Sequence, residues 1–358
     1  MLYFTKEKVV SVYSQMNAGT KAREDINSIL QNHGWKPIEL VTTRDEEAES
    51  TMGKLQKVKE HKKIGDLMDE AFSPLKRGDT LLIQFPLLSH TIFGIFSFRK
   101  LKAKGVKIVL LVHDLEIIRI ALGNASFFRK MRINIEEKTL LQACDNIIVH
   151  NKRMKKALAS MGLDENKMIE LEIFDYLIPD YDVQAKREKT AKDKPIIIAG
   201  NLRPNKAGYL YHLPTAPDYN LYGIGYEPEK PVPTVHYLGS FQPDELPAEL
   251  EGSFGLIWDG ETSETCSGVF GSYLKINNPH KTSLYLASGI PVVIWKKAAL
   301  AEFIVKNGCG IVVESLKDIP DVISRLSEED YRKMQSNTVK ISKRLRDGYY
   351  TLEAMKRV

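Results

Sequence analysis

Two doubly wound α/β domains are the architecture this sequence predicts, on three observations. Thr80–Phe85 (TLLIQF), Val106–Val112 (VKIVLLV), Pro195–Ala199 (PIIIA) and Phe254–Trp258 (FGLIW) are strand-length apolar runs without alternation, the pattern of strands covered on both faces of a parallel sheet. Helical stretches separate them, which is the grammar of βα units rather than of hairpins. The chain has 358 residues, more than one hydrophobic core usually organises. The expected division is a Rossmann-like N-terminal domain over 1–175, a linker over 176–194, a Rossmann-like C-terminal domain over 195–335 and a final helix over 336–358 that packs across the domains.

Composition narrows the class without naming a partner. The chain is 43% hydrophobic and 27% charged, as ordinary globular proteins are. A formal net charge of +5 is compatible with anionic small molecules or anionic lipid surfaces, and nucleic acid is not expected. Cys144, Cys266 and Cys309 are odd in number and lack CxxC spacing, against a disulfide framework or a zinc site and in keeping with a reducing cytoplasm. The amino terminus lacks the apolar core of a signal peptide, and no run is long enough to span a bilayer.

In the first half, Lys8–Tyr13 (KVVSVY) is the expected first strand and Ala22–His33 the helix after it. Asn17, Gly19 and Thr20 then fall in the loop beyond the strand's carboxyl end, where such folds place ligands. Trp35–Val41 is expected as a second strand, and the charged run Arg44–Lys63 as a solvated helix or loop without chemistry. TLLIQF runs into Pro86, and VKIVLLV into His113-Asp114. An imidazole or carboxylate at a strand's carboxyl end can deprotonate an acceptor hydroxyl. The competing reading is that His113 or Asp114 caps the segment Leu115–Leu122. A helix over Phe127–Cys144 leads to the strand Asp145–Val149 and a basic helix over Lys152–Met161. Its Lys152, Arg153, Lys155 and Lys156 read as a solvated face, with a membrane surface or polyanion as the alternative.

The second half restarts at PIIIA, which runs into Gly200-Asn201-Leu202-Arg203-Pro204-Asn205-Lys206. A glycine past a strand lets a ligand approach the backbone, and Arg203 can grip two phosphate oxygens with its planar fork. Asn220–Gly225 (NLYGIG) reads as a second strand ending in glycines, Thr234–Leu238 as a third, and Phe241–Leu250 as a helix with an acidic first turn. After FGLIW comes a polar loop, Asp259–Gly271, and then a stretch, Ser267–Trp295, in which Asn277–Ala287 reads as a helix closed by Ser288-Gly289 and followed by a buried strand. Lys281 stands near that helix's start, where unpaired N–H groups and the positive dipole end suit a phosphate. Its other reading is a solvated surface lysine. Ala298–Asn307, Gly308 and Ile311–Val313 repeat the unit, and 327–358 reads as largely helical.

Gly200-Asn201-Leu202-Arg203, FGLIWDG and GSYLKINNPHKTSLYLASGIPVVIWKKAALAEFIV resemble bacterial GT-B glycosyltransferases, in particular the glucosyltransferases that extend glycans on streptococcal serine-rich adhesins and the related galactofuranosyltransferases. The resemblance spans both halves in architecture, with its specific residues between Gly200 and Val305. It implies two Rossmann-like domains facing across a cleft, a UDP-sugar donor held chiefly by the second, a glycan acceptor on a protein or lipid carrier, self-association and no obligatory metal or other cofactor. It implies that Arg203 and Lys281 neutralise the departing diphosphate, that Asn201, Tyr222 and Gly223 lie near the nucleotide, and that Ser267, Gly268 and Tyr273 lie near the sugar or diphosphate. Lys275, in the approaching loop, is the weaker diphosphate candidate, and Thr20 is placed facing the donor. The expected activity is transfer of a hexose, glucose or galactofuranose, with His113 or Asp114 as the base if the reaction inverts. The expected setting is the cytoplasm, with peripheral contact at the inner membrane face. Alternatives are a non-catalytic nucleotide-binding subunit that stabilises a partner, and a nucleotide-sugar epimerase or dehydrogenase. The last is disfavoured because the first βα loop has one glycine where a dinucleotide fingerprint needs three.

Overall fold

The apolar runs of the first half become parallel strands: β1 (Leu2–Ser11), β2 (Lys36–Arg44), β3 (Thr80–Phe85), β4 (Lys107–Val112), β5 (Asn146–Val149) and β6 (Met168–Glu170). They form one sheet in the order β2-β1-β3-β4-β5-β6, so the chain reverses its direction of travel between β1 and β3. The computed structural model describes residues 1–11, 18–44, 53–89, 92–123, 125–229 and 232–358. Burial of residues 81–85 in β3 and 108–112 in β4 is what their unbroken apolarity required. β1 begins earlier than KVVSVY indicated: Phe4 and Thr5 are buried, and Leu2 and Tyr3 already pair with Thr80 and Leu81. The polar run Thr5-Lys6-Glu7-Lys8 disguised that first half of the strand.

The second half supplies β7 (Ile196–Asn201), β8 (Tyr219–Ile224), β9 (Val235–Tyr237), β10 (Gly255–Ile257), β11 (Val292–Trp295) and β12 (Gly310–Val313). Their order is β12-β11-β10-β7-β8-β9, all parallel. Counted from β7, this is the 3-2-1-4-5-6 order of dinucleotide-binding sheets, with its switch point between β7 and β10. The helix expected over Phe241–Leu250 shrinks to Leu246–Glu249. Residues 327–358 form two helices, Glu328–Arg346 and Tyr349–Met355.

Two compact units result. Among the described residues, the first takes 1–11, the described part of 26–171, and 352–358, and the second takes 18–25 and the described part of 172–351. The charged stretch 176–194 is not bare chain. Asp182 caps a helix, Val183–Glu188, by accepting from Gln184 N at 2.9 Å and Ala185 N at 3.0 Å. Lys186 is buried and donates to Ala248 O at 2.8 Å. Composition alone read this as a linker, because a lysine whose stem packs while its tip finds a carbonyl looks the same in sequence as a solvated one.

In the first unit, the helical segment 127–143 is continuous, with a π-type stretch at Asn134–Lys138. Its Glu137 is buried, and the carboxylate accepts from Glu116 N at 3.0 Å and Ile117 N at 2.8 Å. It thereby caps the helix Glu116–Leu122 from a distance. Burial pushes the Glu137 carboxyl up to about 7. The native chain therefore holds this proton more tightly than the unfolded chain between the ordinary glutamate range and about pH 7. The stabilisation is complete below that range and is lost as pH rises through 7. Glu137→Gln removes this dependence. From pH 4.5 to 8 the difference in unfolding free energy should move in the variant's favour by about 1–3 kcal/mol, measured by urea denaturation at both pH values. Titrating groups that do not interact with Glu137 cancel in that difference, and a gap constant with pH would contradict the assignment.

Candidate active site

In the second unit, four chain segments meet around the carboxyl ends of β7, β8 and β10, the position where open α/β sheets bind ligands. The helix His280–Ala287 is the most firmly held. Residues Thr282–Ala287 are all buried. Ala199 N, in β7, donates to the Tyr285 hydroxyl at 2.7 Å, and Ser283 Oγ donates to Phe174 O at 2.7 Å. The Tyr285 ring lies so close over Gly255 of β10 that a Cβ there would come within 2.2 Å of it. Gly289, at φ +79°, ends the segment in the left-handed conformation the Ser-Gly pair predicted.

Lys281 then reaches back to the end of β10. Its Nζ donates to Trp258 O at 2.7 Å and to Asp259 Oδ1 at 2.9 Å, and the two side chains are only 16% and 9% exposed. It is neither the solvated lysine nor a bare cation. Among the described residues these two contacts engage two of the three ammonium N–H groups. Lys275 is exposed, with Nζ 5.6 Å from the Trp295 ring centroid.

The loop after β10 is tied to the loop after β7. Gly260 N donates to Lys206 O at 2.8 Å, and Tyr209 N to Gly260 O at 3.1 Å. Ser267 Oγ accepts from Glu261 N at 3.1 Å, so this hydroxyl shapes its own loop. Gly268, at φ +66°, is exposed and has open space where a side chain would stand. At the end of β7, Asn201 Oδ1 accepts from Arg203 N at 3.0 Å, folding the turn that presents Arg203. The Arg203 stem crosses Gly225, where a Cβ would come within 2.3 Å of Arg203 Cγ. Its guanidinium is exposed and has no ion pair or hydrogen bond among the described residues. Gly223 is required by close approach: a Cβ there would fall 1.8 Å from Gly200 O.

Three expected positions change. Tyr222 is buried, and its hydroxyl accepts from Glu251 N at 3.0 Å with the ring against Phe241. Tyr273 is likewise buried. β8 is covered on both faces over Tyr219–Tyr222, and Tyr273 lies on the buried side of the short helix Gly268–Tyr273, so both rings are in the core. Thr20 is not in a loop: it is an exposed residue in the first turn of the helix Ala18–Asn32, and Asn17 lies outside the described residues. The next residue, Lys21, is buried and donates to Asp25 Oδ1 at 2.6 Å and Leu177 O at 2.9 Å.

Other residues carry the site without having been singled out. Asp259, one of several acids in its loop, is the partner of Lys281. Tyr211, Tyr226 and Tyr237 form a row beside the end of β8, with ring centroids 5.8 and 5.9 Å apart, and Tyr237 donates to Gly223 O at 2.8 Å. A tyrosine every ten residues or so gives no periodic signal, whereas an acid immediately after a buried strand was a legible one. A DxD spacing does occur in the chain, Asp180-Tyr181-Asp182. Asp182 is the helix cap described above, and Tyr181 donates to Pro247 O and Ser288 O, each at 3.2 Å.

In the first unit, His113 follows β4 and donates from Nε2 to Gln84 Oε1 at 2.7 Å, while Gln84 Nε2 donates to buried Asn27 Oδ1 at 2.7 Å. Because Gln84 Oε1 can only accept, this chain of amides places a proton on His113 Nε2 and fixes the ring's orientation. Asp114 is exposed and pairs with Arg119 at 2.9 Å. Neither residue caps the following helix, since Glu137 does.

Two family models match the chain: "Glucosyltransferase 3-like, N-terminal domain" over residues 6–173 and "Glucosyltransferase 3-like, C-terminal domain" over 196–358. The chain belongs to the glucosyltransferase 3-like family. This glucosyltransferase 3-like chain is 36% identical over 352 residues to beta-1,6-galactofuranosyltransferase WbbI of Escherichia coli K12, covering 97% of this chain and 96% of that protein. Its fold is that of the lipopolysaccharide outer core galactosyltransferase WaaB in its apo form (TM-score 0.60, 11% identity, 100% and 99% coverage). It is also that of Anabaena HepE in complex with UDP (TM-score 0.56, 11% identity, 100% coverage of each). The two six-stranded sheets are those of a GT-B glycosyltransferase, and glycosyl transfer is the activity of the glucosyltransferase 3-like proteins.

Gly223→Ala should destabilise the glucosyltransferase 3-like chain by about 3 kcal/mol or prevent folding, because backbone cannot yield to a new atom inside contact distance. Gly268→Ala, strained only by its φ, should cost about 1 kcal/mol. Chemical denaturation of the two variants checks the contrast, and equal costs would contradict it. Lys281→Met, which strands the Asp259 carboxylate, should cost about 3 kcal/mol. Adding Asp259→Asn should recover a large part of that loss in the same measurement.

Proposed function

We propose that this chain is a hexosyltransferase that takes glucose or galactofuranose from a uridine-diphosphate donor held on its second unit and passes it to a hydroxyl of a glycan acceptor. The observation that carries the proposal is the cation arrangement at the β7/β10 switch point. There an exposed Arg203, without an ion pair or side-chain hydrogen bond among the described residues, and a Lys281 that contacts Trp258 O and Asp259 stand beside open backbone at Gly200 and Gly268. A departing nucleoside diphosphate needs its growing charge met by fixed donors, and a guanidinium, an ammonium and the N-terminus of the helix His280–Ala287 are such donors. They support turnover without an obligatory metal. The tyrosine row beside Gly223 offers flat faces for a uracil. The galactofuranosyltransferase relative and the family's glucosyltransferase description favour a hexose. HepE in complex with UDP shares the fold and favours a uridine diphosphate donor. A cytoplasmic setting is favoured by the three cysteines, all free and buried.

His113 is the better base of the two candidates, because the Asp114 charge is already matched by Arg119. A base is needed only if the reaction inverts the anomeric centre. In that case His113→Asn lowers kcat by about 10²–10⁴-fold and removes the acidic limb of the pH profile. In a retaining reaction the substitution leaves both nearly unchanged, so the product anomer determined by NMR decides which outcome is owed.

The direct test is mass spectrometry of products from UDP-glucose and UDP-galactofuranose with glycosylated-peptide and lipid-linked acceptors, run with and without EDTA. Transfer of one hexose, undiminished by EDTA, is the expected result. No transfer with any donor, together with tight UDP binding, would instead make the chain a non-catalytic nucleotide-binding subunit. Arg203→Ala should weaken UDP about 10–100-fold by calorimetry with the melting temperature unchanged, since its side chain is solvent-facing. Unaltered affinity would remove Arg203 from the donor site.

A further inference from the structure

The helical segment 127–143 of the first unit packs one face inward through Ile133, Glu136, Glu137, Leu140 and Leu141, all buried. Its other face is apolar and exposed. Phe127 is 74% exposed, Phe128 76%, Met131 47% and Ile135 41%. At 100° per residue these four side chains fall within an arc of about 100°. Lone exposed apolar residues are ordinary, but an aligned set with two adjacent phenylalanines is a patch that has a use. The rings contact each other edge to face at 5.9 Å, and the helix is held firmly below them by its core residues and by the Glu137 cap.

Charge identifies the occupant. Between Phe127 and Ile135 the sequence FFRKMRINI carries Arg129, Lys130 and Arg132 and no acid. Arg129 also reaches Glu116 at 2.8 Å and Arg132 reaches Glu136 at 3.8 Å, while Lys130 is exposed on the flank of the apolar arc. A second copy of the chain docked on this face would set these cations against their own counterparts. An anionic bilayer surface presents the opposite charge at the rim and hydrocarbon at the centre. Phenylalanines on one face with lysine and arginine at its borders are the pattern of helices that lie in the lipid interface. Among the described residues no helix is long and apolar enough to cross a membrane, so contact of this kind is with the surface.

We infer that the face formed by Phe127, Phe128, Met131 and Ile135, rimmed by Lys130 and Arg132, docks the protein on an anionic lipid bilayer. The inference does not depend on the donor assignment. It differs from the sequence expectation, which considered the basic helix beginning at Lys152 for such a role. That helix buries Met154 and Leu158 and presents charge without an apolar face.

Co-sedimentation with vesicles of phosphatidylcholine alone, and of equal parts phosphatidylcholine and phosphatidylglycerol, tests it. The full chain should pellet with the anionic vesicles and much less with the neutral ones. Phe127→Ser/Phe128→Ser should lower anionic-vesicle affinity at least about tenfold. Lys130→Ser/Arg132→Ser should lower it several-fold and flatten its salt dependence. UDP affinity by calorimetry should be unchanged in both variants, which separates failure here from failure of the donor site. Three results would overturn the inference: a chain that stays in the supernatant with both vesicles, a Phe127→Ser/Phe128→Ser variant that pellets like the parent, or a dimer in sedimentation velocity that this variant dissociates while neither form pellets.

Discussion

The contact of Lys281 with Trp258 O and Asp259 fixes more of the candidate site than any other. It joins the helix His280–Ala287 to the end of β10, at the one place in the second sheet where successive connections leave in opposite directions. Because both partners are largely removed from water, the pair tolerates little displacement: separating them would leave a charge uncompensated in a weakly screened setting. The helix N-terminus, the β10 loop and, through Gly260 and Lys206, the β7 loop are therefore held in a common frame before any ligand arrives. Preorganised donors of this kind act on developing charge without the cost of reorienting.

The remaining site residues are arranged by the absence of side chains as much as by their presence. Gly255 admits the Tyr285 ring, Gly223 admits the carbonyl of Gly200, and Gly225 lets the Arg203 stem cross β8. The first lies at the start of β10, where it seats the helix His280–Ala287, and the other two bring backbone and a long side chain to the carboxyl end of β8. In the first unit the same position at β4 is organised differently, by a relay of neutral amides. Asn27 orients Gln84, Gln84 orients His113, and the following helix is capped by the remote carboxylate of Glu137 rather than by a local residue.

Much of this was legible in the sequence. The unbroken apolar runs gave the buried parallel strands, the Ser288-Gly289 pair gave the end of the helix His280–Ala287, and the glycines at Gly200, Gly223 and Gly225 marked the carboxyl ends of β7 and β8. What sequence could not give was the direction of individual side chains. Tyr222 and Tyr273 look like site residues beside glycines, yet their rings are buried, because β8 is covered on both faces and Tyr273 lies on the buried side of its helix. Thr20 was misplaced because the helix Ala18–Asn32 starts earlier than its apolar periodicity. The roles of Asp259 and Glu137 depend on partners 22 and 20 to 21 residues away, a separation that no local pattern encodes. Glu137 did leave a trace, being an acid in register with Ile133, Leu140 and Leu141 on the buried face of its helix.

The most direct test of the donor site is a crystal structure of the chain grown with UDP. The diphosphate should lie within hydrogen-bond distance of the Arg203 guanidinium and Lys281 Nζ, near the start of the helix His280–Ala287, with the uracil beside the end of β8. A diphosphate bound at any other place, or one in which neither Arg203 nor Lys281 touches an oxygen, would contradict the proposed site.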